Sequence, residues 1–143
     1  MIMNGPNLQA LGRREVAIYG EKTWDEIALE LKREAVELGV TLDFYQSNSE
    51  GALIDRIWQA AAEKIDGLLI NPGGLTHTSV ALLDALRGAA LPAVEVHLSN
   101  ISNREEYRQK SLTAAGCIGV VAGFREASYL LALRGLAGYL NRK

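Results

Sequence analysis

Leu68-Leu69-Ile70-Asn71-Pro72-Gly73-Gly74-Leu75-Thr76-His77-Thr78-Ser79, with Val80-Ala81-Leu82-Leu83-Asp84-Ala85-Leu86 after it, decides the fold. An apolar run of strand length stops at Asn71-Pro72-Gly73-Gly74, where the chain must turn sharply and proline removes one amide donor. Thr76, Thr78 and Ser79 then offer N-caps to an apolar helical run. The pattern is strand, turn, helix, with the third helix expected over residues 78–88. In an open parallel sheet, ligands bind beyond the carboxyl ends of the strands, where helix N-termini present unpaired N–H groups. Asn71 and His77 stand at such an end.

Outward from this unit the same alternation repeats. Met1 to Asn4 reads as a short first strand, and a loop of unusual length, residues 8–20, precedes the first helix. A loop that long is expected to be a lid or binding loop. Thr23 and Glu26 form a capping box ahead of the stripe Ile27, Leu31, Ala35 and Leu38, which Gly39 closes. Val40 to Tyr45 is the second expected strand. Ser47-Asn48-Ser49-Glu50 opens a helix with the stripe Leu53, Ile54, Ile57, Trp58 and Ala61, where Trp58 is read as packing. Asp66–Ile70 and Pro92–Val96 are the third and fourth strands. A short polar helix is expected around Asn103–Ser111, a last strand over Ile118–Ala122, and a last helix from Glu126 to Leu140 carrying Leu130, Leu133, Leu136, Ala137 and Leu140. Strands alternating with helices throughout predict an α/β, doubly wound, flavodoxin-like three-layer sandwich on a five-stranded parallel sheet. At 143 residues the chain is expected to be one domain, 1–143.

Composition narrows the function. Fifteen Lys and Arg stand against 17 Asp and Glu, scattered along the chain, a formal charge of −2 that argues against nucleic acid as partner. No apolar run reaches membrane-span length, and Met1-Ile2-Met3 runs straight into Asn4-Gly5-Pro6 without a signal peptide, so a cytoplasmic protein is expected. The single cysteine, Cys117, lies in an apolar run and is read as a buried strand residue in preference to a nucleophile. There is no GxGxxG after a strand, no Walker A motif, no Cys/His metal cluster and no GxSxG elbow. None of the five lysines falls at an apolar strand end, as a Schiff-base lysine would. An acid–base enzyme acting on a small anion, with no metal or cofactor, is left.

Both histidines fall just past expected strand ends on one rim. His97 follows Glu95 by two residues, so the side chains share a face, and the carboxylate could orient the imidazole as a general acid; the plainer alternative is a histidine capping the strand end. Beyond it, the Leu98 and Ser99 N–H groups could bind a carboxylate or phosphate. His77 and Asp84, seven residues apart, are expected on one helical face, with Asp84 reaching the ligand, a neighbouring subunit or only solvent. Arg104 and Arg108, spaced i, i+4, suit an anionic substrate, although Glu105 and Glu106 make an ion-paired surface an equal contender. Tyr19 in the long loop is either a hydrophobic anchor or a base. As a base it needs its pKa lowered about three units, ~4 kcal/mol, which Arg14 five residues earlier, or Arg13, could supply.

Five motifs occur in order along nearly the whole chain: Asn4-Gly5-Pro6-Asn7-Leu8; Leu11-Gly12-Arg13-Arg14-Glu15 with Ile18-Tyr19-Gly20; Gln46-Ser47-Asn48; Ile70-Asn71-Pro72-Gly73 with Thr76-His77-Thr78-Ser79; and Glu95-Val96-His97-Leu98-Ser99-Asn100-Ile101. Together they resemble type II 3-dehydroquinate dehydratase. The resemblance implies a flavodoxin-like subunit of a homododecamer built from trimers. The implied reaction is reversible anti elimination of water from 3-dehydroquinate to 3-dehydroshikimate without cofactor or metal, in aromatic biosynthesis or quinate breakdown. It implies Tyr19 as the base for the C2 proton, Arg14 as its activator, Asn7 as holder of the water that supports the enolate, and His97, oriented by Glu95, as the acid at the C1 hydroxyl. Asn71, His77, Leu98, Ser99 and Arg108 match substrate-binding positions, and Asp84 matches an aspartate reaching a neighbour's site. Ser49, Ser102, Asn103 and Lys110 depart from the pattern and are expected to alter affinity or lid packing. The competing function is a non-catalytic flavodoxin-like module that binds an anion.

Overall fold

The computed structural model describes residues 1–13 and 16–142, the side chains of Val16 and Tyr19 excepted. Five parallel strands form one sheet: β1 Ile2–Asn4, β2 Phe44–Gln46, β3 Leu68–Asn71, β4 Ala93–His97 and β5 Gly119–Ala122, in the order β2-β1-β3-β4-β5. The helices are α1 Val16–Tyr19, α2 Trp24–Leu38, α3 Glu50–Ala62, α4 Val80–Ala89 and α5 Ala127–Leu140. This is the flavodoxin-like order, and the α/β expectation holds.

The period of two along the strands divides the core. Ile2, Leu69, Val94 and Val96 face one layer, closed by Ile27 and Leu31 of α2 and Tyr129, Leu133 and Leu136 of α5. Met3, Leu68, Ile70 and Ala93 face the other, closed by Leu53 and Ile57 of α3 and Leu82 and Leu86 of α4. Burial of each such aliphatic side chain contributes ~1.5–3 kcal/mol, and a parallel sheet covered on both faces favours near-continuous apolar runs, which the polar residues Asn4, Asn71, Glu95 and His97 interrupt toward the carboxyl ends.

Local signals set the helix ends. Thr23 and Glu26 close the capping box, with Thr23 N–H donating to Glu26 Oε2 at 2.8 Å, and Gly39 ends α2 at φ 67°. Ser49 and Ser79 accept from the amides of Ala52 and Leu82 as N-caps of α3 and α4.

Several expectations need correction. The loop expected over residues 8–20 holds a 3₁₀ turn, Leu8–Ala10, and the short helix α1, and His97 closes β4 instead of following it. The second strand starts later than Val40, at Phe44, and Cys117 precedes β5 instead of lying in it. Thr76 and His77 belong to a 3₁₀ turn, Gly73–His77, so α4 begins at Val80, and His77 and Asp84 do not share one helix. The polar helix around Asn103–Ser111 is instead a string of 3₁₀ turns, Ile101–Asn103, Glu106–Arg108 and Thr113–Gly116, which places Arg104 and Arg108 outside any common helix. Asn100 caps the first of these turns, its Oδ1 taking the Ser102 amide at 3.1 Å, and the run breaks where the backbone leaves the helical region at Arg104 (φ −113°, ψ −175°) and Glu105 (φ −56°, ψ 146°). Trp58 is half-exposed, its ring lying against Gly88 of α4, so it packs at the margin of the stripe.

Among the described residues, no helix is long and apolar enough to cross a membrane.

Candidate active site

The chain leaves β1 for β2 on one side and returns to β3 on the other, so from the switch point of the sheet the chain after β1 and the chain after β3 lead to helices on opposite faces, α2 and α4. A cavity of about 160 Å³ opens there, lined by Asn7, Asn71, His77, His97, Ser99 and Arg108 among others. A larger hollow, about 800 Å³, lies at the opposite rim, walled mainly by Val40, Leu42, Ile65, Leu133 and Leu136 and holding neither histidine. Both histidines, Arg104 and Arg108 line the smaller cavity.

Its walls depend on close backbone approach. The Gly5 N–H donates to the Asn71 carbonyl at 2.8 Å, and a Cβ on Gly5 would stand 2.4 Å from the Pro72 carbonyl oxygen. Gly73 at φ 59° faces back onto Pro6. Asn7 occupies the left-handed region at φ 70°, which Asn tolerates better than most residues. Its N–H donates to Asn48 Oδ1 at 2.9 Å, and Gln46 Nε2 donates to the same oxygen at 3.2 Å, so the β2 end holds the β1 loop.

β4 brings in the central pair. His97 Nε2 lies 2.7 Å from Glu95 Oε1; a carboxylate only accepts, so Nε2 carries the hydrogen and proton exchange with a ligand runs through Nδ1. Glu95 is fully buried, yet three hydroxyls also reach it: Thr76 at 2.9 Å and Ser111 at 2.7 Å on Oε1, and Thr113 on Oε2. Burial pushes the Glu95 carboxyl up, but the hydrogen bonds from His97, Thr113 and Ser111 and the His97 charge outweigh it and hold the pKa below the usual carboxylate value. The pair is therefore an anion fixing an imidazole.

His77 Nδ1 donates to the Lys110 carbonyl at 2.8 Å, which leaves Nε2 for the cavity. Asn71 is buried; its Oδ1 accepts from Gly73 N–H and its Nδ2 donates to the Tyr129 hydroxyl. Leu98 and Ser99 line the cavity past β4, ahead of a 3₁₀ turn in place of the expected helix. Arg108 Nε is buried, 3.5 Å from Glu105 Oε2, and makes no hydrogen bond among the described residues, while its guanidinium lies 5.2 Å from the Tyr107 ring centre. A buried, incompletely satisfied guanidinium N–H beside a polar cleft suits an anionic or hydroxylated ligand.

Asp84 is exposed on α4 and does not line this cavity. Arg14 and the side chain of Tyr19 lie outside the described residues. Cys117, part-buried, does not line this cavity, and burial, then the Glu95 charge, pushes its thiol up to about 12, which accords with a packing residue. Ser49, Ser102, Asn103 and Lys110 do not line the cavity; Ser49 serves as a cap and Lys110 offers its carbonyl to His77.

The residues that the sequence reading passed over are the hydroxyls of Ser111, Thr113 and Tyr129, and the role of Thr76 on Glu95; Arg104, expected near an anionic ligand, donates from Nη1 to Ser99 Oγ at 3.3 Å. Thr113 and Thr76 stand 37 residues apart, a separation that carries no periodic signal. Tyr129 alone carried a clue, a hydroxyl on the α5 stripe one turn before Leu133.

Fold and cleft together define an α/β protein of the flavodoxin-like class with an acid–base pair at the switch point of its sheet. The family described as Dehydroquinase class II matches residues 1–137, and the chain belongs to that family. It is 49% identical to the 3-dehydroquinate dehydratase of Clostridium perfringens (strain 13 / Type A) over 143 residues, 100% of this chain and 98% of that protein. It is 54% identical to the 3-dehydroquinate dehydratase of Prochlorococcus marinus (strain NATL1A) over 142 residues, 99% and 97% of the two chains. The crystal structure of type II dehydroquinase from Butyrivibrio crossotus DSM 2876 superposes with a TM-score of 0.92 at 39% identity, covering 94% of each chain.

Proposed function

We propose that this chain is a hydro-lyase that interconverts 3-dehydroquinate and 3-dehydroshikimate through an enolate. The observation that carries the proposal is the His97–Glu95 pair at the floor of a cleft walled by Asn7, Asn71, His77, Ser99 and Arg108, in a chain that belongs throughout to the class II dehydroquinases.

Tyr19 as phenolate takes the C2 proton, and the electron pair moves onto the C3 carbonyl as an enolate. Arg14 lowers the phenol's pKa, and Asn7 holds a water against the enolate oxygen. When the enolate collapses, the C1–oxygen bond breaks, His97 gives its Nδ1 proton to the departing hydroxyl, and water leaves with a C1=C2 double bond behind. Glu95 fixes the imidazole and balances its charge, while Asn71, His77, the Leu98 and Ser99 amides and Arg108 hold the carboxylate and hydroxyls of the substrate. Asp84, remote from its own cleft, serves a neighbouring subunit's site in a homododecamer of trimers. The exposed aliphatic residues Ile118 and Val120 beside and on the edge strand accord with burial in an assembly. One domain working in the cytoplasm accords with a lone cysteine and a core shared by all five strands.

The test is absorbance of the conjugated enone after purified protein meets 3-dehydroquinate. Appearance of the enone at catalytic rates is the expected outcome. Saturable binding of dehydroquinate with no enone at micromolar protein would favour an anion-binding module.

A further inference from the structure

Beneath the cleft lies a buried tyrosine to which the mechanism above gives no part. Tyr129, in the first turn of α5, has no exposed surface, and its ring packs against Trp24 at 5.4 Å between centroids. Its hydroxyl sits under the carboxyl ends of β1 and β3, donating to Asn4 Oδ1 at 2.7 Å and accepting from Asn71 Nδ2 at 2.9 Å. Asn4 and Asn71 are register partners on adjacent central strands, so one phenol from a helix ties both strand ends.

The direction of this chain of hydrogen bonds is set. A hydroxyl has one hydrogen, and Tyr129 commits it to Asn4; toward Asn71 the oxygen can only accept. Asn71 must therefore present nitrogen to the phenol. At the other end of the same amide, the Gly73 N–H at 3.1 Å demands an acceptor, which is Oδ1. Rotating the amide by half a turn would put N–H against N–H and leave the phenol oxygen opposite a carbonyl oxygen. Two neighbours thus read both ends of Asn71. The arrangement is held at a cost, since Asn4 Nδ2 is buried with no hydrogen-bond partner among the described residues. Burial also pushes the phenol above the ordinary tyrosine value, so it keeps the proton on which the direction depends.

We propose that Tyr129 is a positioning residue: by fixing the amide of Asn71 before substrate arrives, it sets the donor and acceptor that Asn71 offers to the hydroxyls of the substrate. The proposal rests on the reading of Asn71 as a substrate-binding residue. It assigns to a core tyrosine a share of substrate affinity, through Asn71 and without contact of its own.

The experiment is a double-mutant cycle on steady-state kinetics with 3-dehydroquinate, using Tyr129→Phe, Asn71→Ala and the double variant, each checked for a cooperative thermal transition. Tyr129→Phe is expected to raise KM about tenfold with kcat within about threefold of the parent. In the Asn71→Ala background the same change is expected to move KM less than about twofold, because there is no amide left to orient. An unchanged KM in Tyr129→Phe, or an equal rise in both backgrounds, overturns the proposal while leaving the site reading intact. If Asn71→Ala itself leaves KM at the parent value, the reading of Asn71 fails and this proposal with it. Should Tyr129→Phe not fold, Asn4→Ala answers the same question: it frees the phenol hydrogen to turn toward Asn71 and is expected to raise KM likewise, and an unchanged KM there overturns the idea.

Discussion

The hydroxyl cage around Glu95 shows what single residues contribute here. A buried carboxylate left alone would take up a proton; ringed by Thr76, Ser111, Thr113 and His97 it stays ionised, and only as an anion does it fix which nitrogen of His97 carries hydrogen. Thr113→Val is expected to destabilise the protein by ~1–3 kcal/mol at pH 7. The folded pKa of Glu95 lies below the ordinary 4.5, so this stability is present above the unfolded pKa and disappears as pH falls through the folded one. Urea unfolding at pH 7 and at the lowest pH where the fold persists checks the sign: the gap between variant and parent narrows in acid, and an equal gap at both would show that the carboxylate charge is not involved. At the cleft mouth, Arg108→Ala is expected to raise KM by a charge-assisted contact of ~2–4 kcal/mol with smaller change in kcat. Tyr19→Phe is expected to lower kcat ~10²–10⁴-fold with assembly intact. Near-parent turnover in that variant would take the base role from Tyr19.

At the level of elements, the site is made where two turns touch. The loops after β1 and β3 meet backbone to backbone, and Gly5 is the point of contact, with the Pro72 carbonyl where a side chain would begin. Gly5→Ala is expected to cost ~1–3 kcal/mol and to part the walls that carry Asn7 and Gly73, so activity falls along with the thermal midpoint. A variant with parent stability would mean that the turns have room to slide. The same scale explains where sequence periodicity misled. Seven residues separate His77 from Asp84, the spacing of one helical face, but Pro72 and two glycines put a 3₁₀ turn under His77 and shift the helix start to Val80. The polar stretch after His97 has helical composition, yet non-helical backbone at Arg104 and Glu105 breaks it into separate turns, and Arg104 and Arg108 reach the cleft from different ones.

For the whole molecule, the placement of Asp84 is the observation with the longest reach: it is exposed on α4 and absent from the cavity of its own chain, which accords with the role proposed for it at a neighbouring subunit's site. Sedimentation is expected to show a particle of about twelve times the 15.5 kDa chain, and Asp84→Ala to raise KM in that particle. A chain active as a monomer would refute this role for Asp84. The sequence by itself determined the alternation of strand and helix, the caps at Thr23, Ser49 and Ser79, the two faces of the core and the pairing of Glu95 with His97. Each of these depends on neighbours within a few residues, through strand period, helix period or capping geometry. Only the tertiary structure decided which hydroxyls surround Glu95, that Tyr129 bridges Asn4 and Asn71, and that the cleft opens between the loops after β1 and β3. Those contacts join residues 16 to 125 positions apart, and closing such distances is the work of the packed sheet, whose order no local pattern encodes.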